Sequence, residues 1–254
     1  MTEPLTVIDT FSGIGGFSYA AEKLVGGFKT VAFVECEPYC QKVLKKHWPD
    51  VPIYKDVREL NAQRLADDGI IPDVITGGFP CQDISVAGKQ GGIEAERAGL
   101  WDELCRLIGD IRPRFAIVEN VANLLAGPSE QRGGWFGKVL GDLAEIGFDA
   151  EWEVISAAAL GAPHLRERVW IVAYPTEIRL AGEVYSKINP EGYNWAFPRT
   201  SMLPPYTDGM GVAADSYTLR NLDGFPEIMG EINGYGNAVV PQIPEIIGRA
   251  ILDV

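Results

Sequence analysis

The residues of this chain best suited to chemistry are Gly77-Gly78-Phe79-Pro80-Cys81-Gln82. They follow the apolar run Val74-Ile75, where a parallel strand ends and a loop begins. The glycine pair permits a tight turn and Pro80 fixes the loop, so that the Cys81 thiol points in one direction. A thiol held this way is a nucleophile or a buried structural cysteine, and both occur. Two further groups bear on the choice. Glu119 ends the run Phe115-Ala116-Ile117-Val118 and is expected on the same sheet edge as Cys81. A carboxyl beside a thiol raises the thiol pKa, so it needs another purpose, such as holding or protonating a ring nitrogen while sulfur attacks the ring. The alternative is a helix-capping acid. Arg166 and Arg168 precede the run Val169-Trp170-Ile171-Val172. At i and i+2 of an extended segment they share a face, reach one site, lower the pKa of Cys81 and grip a carbonyl oxygen. Such a pair is also common as plain surface charge.

A second group of residues suits a nucleotide. Asp9-Thr10-Phe11-Ser12-Gly13-Ile14-Gly15-Gly16 follows an apolar run and opens a helical stretch, the arrangement that lets a ligand approach the backbone at the carboxyl end of a strand. Glu35 lies twenty residues beyond Gly15, where an acid accepts both hydroxyls of a ribose. The loop departs from Gly-x-Gly-x-x-Gly, so a nicotinamide dinucleotide is not the automatic ligand, and a tight turn beside a solvated acid stays open. Asp56, after a short third strand, is placed to meet an exocyclic amine of a purine.

The elements that must position these groups are legible as alternating patterns. Strands are expected over 5–11, 30–35, 73–76, 115–119, 150–156 and 168–174, and helices over 17–25, 37–47, 97–111 and 136–146. Such alternation predicts an α/β fold with a doubly wound, mostly parallel sheet covered on both faces. From 176 to 229 the pattern fails in a stretch rich in Pro, Gly, Tyr and Asn, and a helical signal returns over 242–252. The expected organisation is a catalytic and cofactor-binding domain over 1–175, a short irregular recognition insertion over 176–229, and a segment over 230–254 that packs back on the first.

Composition narrows the partners. A net charge of −13 argues against a generic polyanion binder, so any nucleic acid must meet a local cationic face. No apolar run approaches the roughly 20 residues that span a bilayer, and the first residues read as a strand rather than a signal peptide. Cys36, Cys40, Cys81 and Cys105 have no metal-ligand spacing. No metal is expected, and the setting expected is reducing and cytoplasmic.

Taken in order, these motifs resemble the C5-cytosine DNA methyltransferase family over most of the chain. The resemblance runs through Asp9–Ala20, Glu35, Asp56, Gly77–Ser85, Gly99-Leu100-Trp101, Glu119-Asn120-Val121, Arg166-x-Arg168 and Gly236-Asn237-Ala238-Val239-Val240-Pro241. It implies a Rossmann-like, S-adenosylmethionine-dependent enzyme that methylates C5 of a cytosine flipped out of double-stranded DNA. Cys81, Glu119, Arg166 and Arg168 are then catalytic. The cofactor falls to Phe11, Gly13, Ile14, Gly15, Gly16, Glu35, Cys36, Asp56, Val57, Pro80, Leu100, Asn237, Ala238 and Val239. DNA falls to Gln82, Ser85, Arg179, Lys187, Arg199 and Arg220. A monomer is expected, and a companion restriction endonuclease is left open.

There are two departures from the family pattern. His164 stands where the family usually has glutamine, and the stretch after the arginines is short, with Asp215–Pro226 the nearest remnant of the usual recognition motif. Rival readings are a C5-cytosine RNA methyltransferase on the same scaffold, an inactive DNA-binding regulator that keeps the fold, and a nucleotide-dependent oxidoreductase supported by the glycine loop alone.

Overall fold

The computed structural model describes residues 3–79, 99–127, 133–160, 162, 165–178, 180, 182–188 and 238–254. Apolar, β-branched runs become strands β1 (Leu5–Thr10), β2 (Phe28–Val34), β3 (Ile53–Tyr54), β4 (Val74–Gly78), β5 (Phe115–Val121), β6 (Phe148–Ser156) and β7 (Glu167–Pro175). They form one sheet in the order β3-β2-β1-β4-β5-β7-β6. β1 to β5 pair in parallel, while β7 runs antiparallel to both β5 and β6. One consequence governs the site. The ends of β1, β2, β4 and β5 share an edge with the beginning of β7, so residues just before and just within β7 face residues at the end of β5.

Helices between the strands are α1 (Gly16–Tyr19), α2 (Pro38–His47), α3 (Ala62–Asp67), α4 (Leu100–Ile111), α5 (Gly134–Glu145), α6 (Glu183–Ser186) and α7 (Gln242–Leu252). Alternate side chains of each strand enter opposite cores. Ile8, Ile75 and Val118 pack with Leu104, Ile108 and Leu143 on the α4–α5 face. Val7, Val74 and Ile117 pack with Phe17, Ile247 and Ile251 on the face covered by α1 and α7. Each strand apart from the outer ones is thus apolar on both sides, as a covered sheet requires.

The structure refines several expectations. The helix read over 17–25 is α-helical only over Gly16–Tyr19 and continues with the wider π pitch over Ala20–Val25. α3 was not anticipated, since its six residues bury Leu65 alone and carry too little period to recognise. The segment after β7 does not leave the core at residue 176. Val184 and Leu180 are buried with the α7 cluster, and the Tyr185 hydroxyl donates to the Trp170 carbonyl at 2.8 Å. Leu180, Val184, Tyr185 and Ile188 thus pack against the same body as β7. Among the described residues no helix is long and apolar enough to cross a membrane.

Candidate active site

Two glycines at the end of β4 set the geometry. Gly77 and Gly78 were expected to make a tight turn, yet both lie within the strand. What they supply is room. A Cβ on Gly77 would collide with the Thr10 hydroxyl, and one on Gly78 would come within 3.1 Å of Glu119 Oε2. The Glu119 carboxyl thus lies against the backbone three residues before Cys81. Pro80, Cys81, Gln82 and Ser85 themselves fall outside the described residues. The strand's last described residue is fixed from the side. Buried Asn120 donates through Nδ2 to the Phe79 carbonyl at 2.9 Å, while its Oδ1 accepts from Val121 N at 2.8 Å.

Glu119 stands two residues along the neighbouring strand from Arg168 on a common face, in the register Glu119↔Trp170 and Val121↔Arg168. Arg168 Nε meets Glu119 Oε1 at 2.8 Å, with both side chains largely buried. Burial pushes the Glu119 carboxyl above the ordinary range, and the nearby Arg168 and Arg166 charges pull it back. The net direction is upward, so burial outweighs the two cations. The two arginines do converge, although not as the sequence suggested. Arg166 is not extended: its φ of 36° lies in the left-handed region, ahead of the first residue of β7. Its guanidinium reaches the C-terminal segment, Nη2 donating to the Ala238 carbonyl at 2.8 Å.

The glycine loop and Glu35 come together at the ends of β1 and β2. Gly13 N donates to Glu35 Oε2 and Glu37 N to Glu35 Oε1, both at 2.7 Å. Glu35 is nearly buried, and burial raises its carboxyl above the usual range against these two hydrogen bonds. Gly13 has φ 55°, and a Cβ there would meet nothing within 4 Å, so the loop opens onto free space beside the carboxylate. Gly15 has φ 88° with Trp48 ring carbons 2.7 Å from where a Cβ would sit, so glycine is required on both counts. Val239 lies across Gly16, its Cβ and carbonyl oxygen each 3.2 Å from a Cβ built there.

Other assigned residues are placed less directly. The Asp56 carboxylate is gripped by Arg58 (Nε–Oδ1 2.9 Å, Nη2–Oδ2 2.7 Å), which holds it below the usual range. Val57 is buried in the core. Cys36 is exposed beside Glu35, and Leu100 opens α4 after Gly99. Phe11 packs on the α4–α5 core with φ 50°. Lys187 has a partner near the C-terminus. Its Nζ donates to the Asp253 carbonyl at 2.5 Å, beyond the far end of α7, whose near end adjoins Val239. An eleven-residue helix is about 16 Å long, so Lys187 sits away from the edge that holds Glu119. Arg179, Arg199, Arg220, Asn237 and His164 lie outside the described residues.

Sequence reasoning gave no role to Asp9, the most deeply buried acid of the site. Its Oδ2 accepts from Ser18 Oγ at 2.8 Å and Ser18 N at 3.3 Å, and its Oδ1 from Thr76 Oγ1 at 2.8 Å. Burial pushes its carboxyl up to about 7. It ties the start of α1 to β4, one strand of the cofactor loop to the strand that leads to Cys81. An acid inside the apolar run Val7-Ile8-Asp9 was the signal available.

Comparison with known proteins agrees with this arrangement. A model of the family described as C-5 cytosine-specific DNA methylase matches residues 5–200. The type II methyltransferase M.Sau3AI of Staphylococcus aureus is 32% identical over 197 residues, covering 74% of this chain and 46% of that protein. M.HhaI of Haemophilus parahaemolyticus is 28% identical over 183 residues, 72% of this chain and 53% of its own. The chain thus spans about half the length of these relatives. Among solved structures, a putative DNA modification methyltransferase encoded within an E. coli prophage superposes with a TM-score of 0.57 at 24% identity, over 71% of this chain and 50% of that one. A Spodoptera frugiperda DNMT2 mutant does so with a TM-score of 0.57 at 19% identity, over 68% and 51%. These likenesses speak for the fold, while the match over residues 5–200 goes further: the chain belongs to the C-5 cytosine-specific DNA methylase family.

Proposed function

We propose that the chain transfers a methyl group to C5 of a cytosine flipped out of double-stranded DNA, through a covalent bond between Cys81 and C6. The observation that carries this reading is the Glu119 carboxyl, packed on Gly78 three residues before Cys81 and paired with Arg168. C5 of cytosine is a weak nucleophile. Addition of the Cys81 thiolate to C6 makes it enamine-like, and a proton held by Glu119 at N3 keeps negative charge from building on the ring. Arg168 is placed to meet the O2 carbonyl once the base enters, while it keeps Glu119 in position. After methylation, loss of the C5 proton and expulsion of the thiolate restore the ring.

The methyl donor is S-adenosylmethionine, which when bound supplies an electrophilic methyl on a sulfonium. The residues fit it. Glu35 presents a buried carboxylate whose oxygens each hold one backbone amide and keep a lone pair for a ribose hydroxyl, next to the open space at Gly13. Phe11, Ile14, Gly15, Gly16, Cys36, Val57, Leu100, Ala238 and Val239 complete the site, with Asp56, Pro80 and Asn237. Recognition of the DNA sequence falls to the part of 176–229 beyond the packed residues, with Gln82, Ser85, Arg179, Arg199 and Arg220 as contacts.

A 5-fluorocytosine substrate tests the reading. Fluorine cannot leave C5 as a cation, so the protein should remain bonded to duplex DNA as a denaturation-resistant species that needs S-adenosylmethionine. Cys81→Ser should abolish it. Trapping of fluorinated RNA alone would assign the RNA reading, and trapping that survives Cys81→Ser would overturn the role of Cys81.

A further inference from the structure

We infer that Arg166 is a strut between two sites: it ties the C-terminal segment that lies over the cofactor loop to the carboxyl that acts on the base, so that closing one site sets the other. The inference rests on the cofactor assignment above and goes beyond it, because nothing in that assignment requires Arg166 to touch the cofactor side.

Two contacts and one electrostatic influence form the path. Val239 lies on Gly16, the first residue of α1, its Cβ and carbonyl oxygen each 3.2 Å from where a Cβ on Gly16 would sit. One residue earlier, the Ala238 carbonyl accepts from Arg166 Nη2 at 2.8 Å across 72 residues of sequence. The Arg166 charge also acts on the Glu119 carboxyl, beside the direct pair with Arg168. Both ends of the strut are braced. Val240 accepts from Ile243 N at 3.0 Å at the head of α7, whose Ile243, Ile246, Ile247 and Ile251 are buried. On the other side, the Arg166 carbonyl accepts from Ala157 N at 3.4 Å, and the backbone there is held in a left-handed conformation that arginine rarely adopts. A non-glycine residue in that region persists only where its surroundings over-determine it. The carbonyl contact at the guanidinium end is one such restraint.

The physical argument is about shared restraint. A guanidinium offers several donors in a fixed plane, so a shift of the 238–240 segment moves the charge seen by Glu119. A donor that packs Val239 against the glycine loop therefore also orders the base-binding carboxyl. The converse holds for a base that orders Glu119, since coupling between sites is reciprocal. Arg168 pairs directly with Glu119 and serves the base site. The two arginines thus do different work: Arg166 is a positioning residue that acts through Glu119 and Ala238.

The test uses S-adenosylhomocysteine, the demethylated product, titrated calorimetrically into the whole protein without DNA. Arg166→Lys keeps one charge and loses the second donor plane, and it should weaken binding about tenfold. Val239→Ala should weaken it by a similar factor, and the double variant should bind no more weakly than the worse single one, because both cut the same path. Arg166→Gln is too short to reach the Ala238 carbonyl and also removes the charge near Glu119. It should weaken binding at least as much as Arg166→Lys and lose turnover, and it carries the test if Arg166→Lys fails to fold. Arg168→Lys should lower turnover at unchanged affinity. Affinity unmoved by Arg166→Lys, or losses that multiply in the double variant, would overturn the strut. A wild-type protein that binds no S-adenosylhomocysteine would overturn the cofactor assignment itself.

Discussion

The two acidic sites of the sheet edge are buried to a similar degree and compensated in opposite ways. At the cofactor end, Glu35 is held by two backbone amides and Asp9 by Ser18 and Thr76, all neutral donors. At the end of β5, Glu119 is held by a guanidinium, with a second one nearby. Neutral donors direct a carboxylate without cancelling its charge, which suits a group that must go on to accept hydroxyls. Cations offset the charge and pull the carboxyl back down against the effect of burial, which suits an acid that works beside an incoming base. Burial alone therefore does not tell a binding acid from a catalytic one. The sign of what surrounds it does.

The comparison is broken first at Glu119. Glu119→Gln keeps the shape and removes the titrating group, so turnover should fall by at least about a hundredfold. Affinity for S-adenosylhomocysteine should stay within about threefold, and a larger fall would mean that the two acids share one task. Glu35→Gln should do the reverse. A lost charge-assisted bond weakens binding roughly tenfold or more, while turnover at saturating cofactor should change little. Initial-rate kinetics across cofactor concentrations separate the two patterns.

Asp9 sharpens the comparison through pH. Its folded pKa of about 7 lies above the unfolded value of 3.8. Between these values the unfolded chain releases a proton that the folded chain keeps, so stability falls as pH rises through that window and levels off above 7. Asp9→Asn removes this dependence while its amide can still meet Thr76 and Ser18. The variant should gain on the wild type by on the order of 2–4 kcal/mol between pH 4.5 and 7.5 in urea melts. A gap that stays flat with pH would show that Asp9 is ionised in the folded protein.

Much of this was legible in advance, and the reasons differ by residue. Strands and helices with a sustained period, such as Phe115–Val121 and Gln242–Leu252, declare themselves because each buries a repeating face. Arg166 and Arg168 were expected to reach one site from a shared extended face, and the ion pair between Arg168 and Glu119 was not foreseen. An i, i+2 spacing says nothing of a left-handed turn at Arg166, nor that β7 runs antiparallel. The Gly77-Gly78 pair misled for a related reason: a glycine needed for room reads the same as one needed for a turn. Contacts such as Arg166 with Ala238 are set by tertiary packing and leave no local trace.

A smaller effect is expected at Asn120. Asn120→Ala removes the clamp on the Phe79 carbonyl and leaves a buried acceptor unpaired, at a cost of about 1–3 kcal/mol. The loss should appear in thermal melts and as slower trapping by 5-fluorocytosine DNA. The smallest belongs to Lys187→Ala. The lysine is committed to Asp253 rather than to the catalytic edge, so DNA affinity in a mobility-shift assay should stay within about twofold. A tenfold loss would return Lys187 to the DNA interface.

The outermost strand has a bearing on how copies of the molecule behave toward one another. β6 pairs only with β7 among the described residues, so one row of its amides and carbonyls is a template for a further strand. Asp149, Glu151 and Glu153 alternate along it on one face. A second copy docking antiparallel about Glu151 would set Asp149 opposite Glu153 and Glu151 opposite itself, and like charges directly across a ladder repel. The opposite face carries exposed Trp152 and Val154, which would otherwise favour such stacking. Glu151 is held by Tyr174, Gly182 and Tyr185, so repulsion at this edge rests mainly on Asp149 and Glu153, and it should weaken as salt screens them or as acid neutralises them.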